Sequence, residues 1–160
     1  MNATPAIQYS SILLPTAFSE LSKRAAAHAA YLAKSLGATI HVVHVASPGV
    51  PPPVDAASGA PYPAVAMPDP SLLVEHGRAS LAEFVRSNLT GLEVKTECTI
   101  GNAPHELAEY ASRNRIDLIV MGTHADGVVK RLIFGSVSKS LLECSPCPIL
   151  FVPVHGVSHL

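Results

Sequence analysis

Apolar positions along this chain follow two periods, and each change of period marks an element. Residues 11–16 (SILLPT) form a short apolar run that predicts a buried strand. Ser19 then stands where a helix N-cap belongs, with Glu20 in the first turn to meet the positive end of the helix dipole. Leu21, Ala25, Ala29, Leu32 and Leu36 follow at helical spacing, and Gly37 closes the helix as a left-handed C′ residue. Residues 39–45 (TIHVVHV) are β-branched and predict a second strand. A second helix is expected over residues 71–88, with Leu73, Leu81, Phe84 and Val85 on one face. Residues 92–98 alternate cleanly, Leu92, Val94, Thr96 and Cys98 against Glu93, Lys95 and Glu97, which suits an edge strand with one wet face. Pro104 opens a helix that runs to about Asn114. Residues 117–121 (DLIVM) predict a central strand, residues 136–144 a short helix and residues 148–153 (PILFVP) the last strand.

The order β-α-β-α-β-α-β-α-β implies an α/β fold: one open, parallel sheet of five strands with right-handed crossovers and four helices on both faces. No internal repeat or second domain is visible, so residues 1–160 read as one domain. Residues 47–70 interrupt the pattern. They hold eight of the fourteen prolines among small and polar residues. Proline removes a backbone donor and fixes φ, so a long surface loop is expected there.

Composition narrows the function. A net charge of −1 gives no general attraction to nucleic acid or anionic lipid. No apolar run approaches the roughly 20 residues that span a bilayer. The first ten residues do not pair a basic stretch with an apolar core, as an export signal would. With an odd count of three cysteines, this suggests a reducing, cytoplasmic setting. There is no tryptophan, which makes stacking on bases a poor candidate activity.

In open parallel sheets ligands sit beyond the carboxyl ends of the strands, where the strand order reverses. The segments after strands one, two and four are therefore the ones to examine. The third reads Met121-Gly-Thr-His-Ala-Asp-Gly-Val-Val-Lys-Arg-Leu-Ile-Phe-Gly-Ser136. A glycine follows the strand, and a second glycine with a serine opens a helix. Glycine lets backbone approach a ligand, and a helix N-terminus offers free N–H groups to phosphate. Lys130 and Arg131 would add charge-assisted bonds.

Met121-Gly-Thr-His124 followed by Gly135-Ser136 resembles the signature of the universal stress protein family, in which Gly-x2-Gly-x9-Gly-Ser/Thr wraps the phosphates and ribose of ATP. Ile12-Leu-Leu-Pro-Thr16, His44-Val45, Gly101-Asn-Ala-Pro104 and Pro146-Cys-Pro-Ile-Leu-Phe-Val152 are similar to the family as well. The resemblance covers nearly the whole chain outside the proline-rich segment. It implies strand order 3-2-1-4-5 in a Rossmann-like, adenine nucleotide alpha hydrolase-like fold. It implies nucleotide-binding positions at Pro15, Thr16, Val45, Met121, Gly122, His124, Gly135, Ser136 and Val137. The expected ligand is ATP or another adenine nucleotide, with Mg2+ as the cation that would let Asp126 stand near a phosphate. Two positions depart from the motif. Ala17 stands where nucleotide-binding members carry an aspartate, and Ala125 where they carry the second glycine. If that second position needs φ > 0, alanine adds about 1–2 kcal/mol of strain.

The last strand places Ile149, Leu150, Phe151 and Val152 at a sheet edge, where an apolar strand invites pairing. The resemblance implies a homodimer through this strand. The alternative cover is a helix or the tail, residues 155–160. Cys144 and Cys147 form a C-x-x-C at a helix end rather than a helix start, which favours a structural reading over a redox or zinc role. His41 and His44 lie three apart on one strand and so face opposite ways, which prevents a shared metal. His44 is expected in the core or on the pocket wall. His124 would donate to a phosphate or serve the turn. Ser19 and Ser136 are helix starts, since no Gly-x-Ser-x-Gly elbow is present. No constellation points to an enzyme. The main expectation is a nucleotide-responsive regulator acting as a dimer. Its rival, favoured by Ala17 and Ala125, is a dimeric interaction protein with a degenerate pocket that binds no nucleotide.

Overall fold

The computed structural model describes residues 7–47, 69–125, 132–133 and 135–153. The expected loop over residues 47–70 falls almost wholly outside the described residues, as do Lys130, Arg131 and the tail.

The elements follow in the order β1 (Ser11–Pro15), α1 (Glu20–Leu36), β2 (Thr39–Ala46), α2 (Pro70–Asn88), β3 (Val94–Ile100), α3 (Ala103–Arg113), β4 (Leu118–Ala125), β5 (Leu132–Ile133), α4 (Ser136–Cys144) and β6 (Ile149–Pro153). The parallel strands lie in the order β3-β2-β1-β4-β6. This is the 3-2-1-4-5 order expected of five strands. The sequence pattern missed β5, a two-residue strand that pairs antiparallel with the end of β4.

Each helix starts and stops for a local reason. Ser19 Oγ accepts from Ser22 N–H at 3.3 Å, and Gly37 adopts φ 67° to return its N–H to Ala33. Asn102 caps α3, with Pro104 in its first turn. Asp69 caps α2, one residue earlier than the pattern suggested. Across the sheet, Asp117 Oδ2 accepts from the N–H groups of Ser10 and Ser11, at 2.8 and 3.0 Å, and ties the entry of β1 to that of β4.

The pleat divides the core. Ile12, Leu14, Ile40, Val42 and Val120 face α1 and α2. Leu13, Val43, Ile119 and Met121 face the other way, packing with Leu107 and Tyr110 of α3 and Leu141 of α4. The buried stripe of α1 is Ser22, Ala25, Ala26, Ala29 and Ala33, whereas Leu36, expected on the inner face, is 46% exposed. Small residues let this helix lie close to the sheet. β3 starts two residues later than the alternation suggested and runs on to Ile100, because its register is set by pairing along the whole of β2, from Ile40↔Val94 to Ala46↔Ile100. Among the described residues it pairs with β2 alone, as expected of an edge strand.

Candidate functional site

β1 and β4 are neighbours, and the chain leaves them toward opposite sides of the sheet. Their carboxyl ends diverge there, and a cavity of about 360 Å³ opens between them and the start of α4. That lies within the roughly 300–1,000 Å³ typical of small-molecule sites.

The segment after β1 forms one wall and is held by its own hydrogen bonds. Thr16 N–H donates to the Val43 carbonyl at 2.9 Å. Thr16 Oγ1 accepts from Phe18 N–H at 3.0 Å, and Ser22 Oγ accepts from Ala17 N–H at 3.1 Å. Phe18 takes φ 61°, the left-handed region that a bulky residue enters at a cost of about 1–2 kcal/mol. Its ring is held by His44, with centroids 4.5 Å apart, and by Phe84 in an edge contact at 6.1 Å. His44 Nδ1–H donates to the Thr16 carbonyl at 2.9 Å, so the proton sits on Nδ1. His44 is half-buried and lines the cavity, the second of the two roles considered for it. His41 points to the opposite face and meets Tyr110.

The second wall is β4. The strand does not stop at Met121 but continues through Gly122 to Ala125. Ala125 is extended and paired with Leu132, and among the described residues left-handed φ outside glycine occurs at Phe18 and Arg115. The strain considered for Ala125 therefore does not arise. A Cβ on Gly122 would stand 2.8 Å from the Leu21 carbonyl oxygen and 2.9 Å from Leu21 Cβ. Glycine here is required by the close approach of α1. Gly135 is the reverse case: its φ is −60° and no described residue lies within 4 Å of an added Cβ.

The third wall is the start of α4. Gly135 is its N-cap and has no side chain to cap the helix. The first bond within the helix runs from Lys139 N–H to the Gly135 carbonyl, at 3.0 Å. The N–H groups before it have no intrahelical partner and mark the positive end of the helix.

Of the nine positions expected to bind nucleotide, Pro15, Thr16, Val45, Met121, Gly122, Gly135 and Val137 line the cavity. Ser136 is exposed at the first turn of α4, beside that lining rather than in it. The backbone of His124 pairs with Ile133, and its side chain lies outside the described residues. Sequence reasoning missed Ser138 and Leu107 in the lining, along with Thr123, whose only signal was its place next to the first glycine. No described lining residue is charged.

The cysteines lie elsewhere. Cys144 ends α4, and its thiol meets the Ser140 carbonyl at 3.3 Å. Burial pushes the Cys147 thiol up, against a hydrogen bond with Ser145 that favours the thiolate. A thiol held protonated is a poor nucleophile, in keeping with the structural reading. His105, Glu106 and Glu109 bring ligand atoms within 4.8 Å of one another on α3, where His105 and Glu109 are well exposed.

The model of the universal stress protein family matches residues 8–153. Universal stress protein MJ0531 of Methanocaldococcus jannaschii is 30% identical over 145 residues, covering 90% of this chain and 82% of its own. A universal stress protein of Thermus aquaticus is 34% identical over 148 residues, covering 90% and 98%. Among solved structures, MJ0577 of M. jannaschii superposes with a TM-score of 0.68 at 21% identity, covering 94% of this chain and 99% of its own. A universal stress protein solved in complex with cAMP gives a TM-score of 0.59 at 19% identity, covering 92% and 99%. One from Archaeoglobus fulgidus in complex with dAMP gives 0.59 at 18%, covering 91% and 98%.

Proposed function

Because the chain belongs to the universal stress protein family, we propose that it is a cytoplasmic stress-response regulator that binds an adenine nucleotide between the ends of β1 and β4. The observation that carries this reading is the cavity itself. It lies where the strand order reverses, and an uncapped helix start forms one wall. The phosphates would face the N–H groups of α4, which attract anions. The base and sugar would lie toward Thr16, His44 and Val45. The complexes that two structural neighbours form with cAMP and dAMP favour an adenine nucleotide. ATP remains a candidate, with Mg2+ to offset its charge, since no described lining residue is cationic. Dimerisation through β6 belongs to the same proposal. β6 is the end strand of the parallel sheet, and Leu150 on it is 38% exposed.

A second reading has its own support. Ala17 lines the cavity and offers no carboxylate to a ligand hydroxyl. In that reading the pocket is degenerate and the protein acts through its surface.

Thermal unfolding with millimolar ATP, ADP, AMP and cyclic AMP, each with and without Mg2+, separates the two. A ligand at 100 times its Kd adds about 2.7 kcal/mol to the folded state. For a chain of this size that is a shift of roughly 5–10 °C. The shift should vanish in Gly135→Val, whose Cβ meets no described residue and whose branch enters the cavity before α4. No shift with any of the four would leave the surface-acting reading.

A further inference from the structure

Thr123 carries a hydroxyl that no described residue uses. The residue is 2% exposed, and its Oγ1 is buried with no hydrogen-bond partner among the described residues. A buried hydroxyl left unpaired loses its hydration and gains nothing in return. Valine has nearly the same shape and would avoid that loss. The fold alone therefore gives no reason for threonine here.

The surroundings supply one. Thr123 forms part of the cavity wall, together with Gly135, Val137 and Ser138 of α4. It alternates with Gly122, which faces α1, and so stands on the other face of the sheet with Met121, toward α3 and α4. The helix start beside it has a glycine cap and N–H groups with no partner among the described residues. No described residue lies within 4 Å of a Cβ added at Gly135. Two sets of donors that no described residue claims, one from the backbone of α4 and one from the side chain of β4, thus border one cavity with no described charged group in its lining.

We propose that Thr123 is a ligand-positioning residue whose hydroxyl donates to a phosphoryl oxygen held at the N-terminus of α4. The inference rests on the nucleotide reading and adds to it the group that distinguishes a phosphorylated ligand from its nucleoside. To donate, Oγ1 would reach the wall by a step of about 120° between staggered χ1 wells, which exchanges the positions of hydroxyl and methyl. Without ligand the hydroxyl weakens the fold slightly, and with ligand it strengthens binding. Replacing it therefore moves stability and affinity in opposite directions, which a packing role would not do.

The test compares wild type, Thr123→Val and Thr123→Ser. Unfolding without ligand gives stability, and calorimetric titration with AMP, adenosine and inorganic phosphate gives affinity. Thr123→Val should unfold at the wild-type temperature or above it. It should bind AMP roughly tenfold or more weakly, the loss expected for a hydrogen bond to a charged group, and bind adenosine as wild type does. Thr123→Ser, which keeps the hydroxyl, should keep AMP binding. Binding of phosphate alone, weakened to the same degree, would make the free anion the ligand read by Thr123 and retain the proposal. A Thr123→Val protein less stable than wild type overturns it whatever its affinity, because the hydroxyl is then already satisfied, for instance by trapped water. Unchanged AMP affinity in Thr123→Val also overturns it while leaving the nucleotide reading intact. An equal loss for AMP and adenosine overturns the phosphoryl assignment. If wild type binds none of the three, the proposal falls, and the nucleotide reading falls with it only if ATP, ADP and cyclic AMP also leave thermal unfolding unshifted.

Discussion

His41 and Tyr110 show how a single buried pair links the fold to pH. His41 is 2% exposed, its Nδ1 lies 2.9 Å from the Tyr110 hydroxyl, and the rings meet edge to face at 5.8 Å. Burial, and then the charge of Lys95, push the imidazole below its ordinary 6.5, while Glu93 opposes them. The folded state therefore keeps His41 neutral at pH values where the unfolded chain takes up a proton. Stability should be flat above about pH 6.5 from this group and fall as pH drops from there toward the folded value. Urea unfolding at pH 7 and pH 5 should show the loss, and a His41→Gln variant should show a shallower one. An unchanged pH slope in that variant would place the effect in other groups. The neighbouring residues differ in how far the sequence reveals them. The opposite facing of His41 and His44 follows from strand alternation alone. The demand at Gly122 does not: the motif points to a ligand, and the structure points to the Leu21 carbonyl. Phe18 carried no local signal for left-handed φ, because aromatic residues rarely adopt it and the packing of His44 and Phe84 helps to hold it there.

The helix and strand ends that local chemistry controls were legible. Ser19, Gly37 and Asn102-Ala-Pro104 fix their ends through bonds within a few residues. Ends that depend on a distant partner were misjudged. β4 outruns its apolar stretch because β6 pairs with it through Thr123 and β5 with its last two residues. The packing of α2 on β3 was likewise hidden. Gly77 sits mid-helix and buried, where glycine is otherwise unfavourable by roughly 1 kcal/mol relative to alanine. A Cβ there would fall 2.3 Å from Cys98 Sγ and 3.2 Å from His44 Cδ2. Overlap of that kind costs about 1–3 kcal/mol, which outweighs the gain in propensity. Gly77→Ala should thus lower the urea midpoint, and adding Cys98→Ala should recover part of the loss, because the two sites share one contact. Two losses that simply add would show that α2 moves away from the sheet instead.

For the whole molecule the open question is what covers β6. Among the described residues it pairs with β4 alone, and Leu150 is the exposed member of its apolar run. If two copies join along this strand, Leu150→Asp should convert the protein to monomers in light scattering at micromolar concentration while leaving its circular dichroism unchanged. A wild-type protein that is already monomeric would remove the dimer from the proposed function. No described helix is long and apolar enough to cross a membrane. The sequence by itself determined the alternation of strands and helices, the parallel sheet with helices on both faces, most helix ends and the strand ends between which the cavity opens. Those features follow from hydrophobic period, capping chemistry and the rule that ligands sit beyond strand ends, all of which act over short stretches of chain. Only the tertiary structure decided that Gly122 serves α1, that Ala125 rests in a strand without strain and that Thr123 has a hydroxyl no described residue uses. Each of these depends on which distant segment arrives beside it, and a residue's own neighbours in sequence carry no record of that.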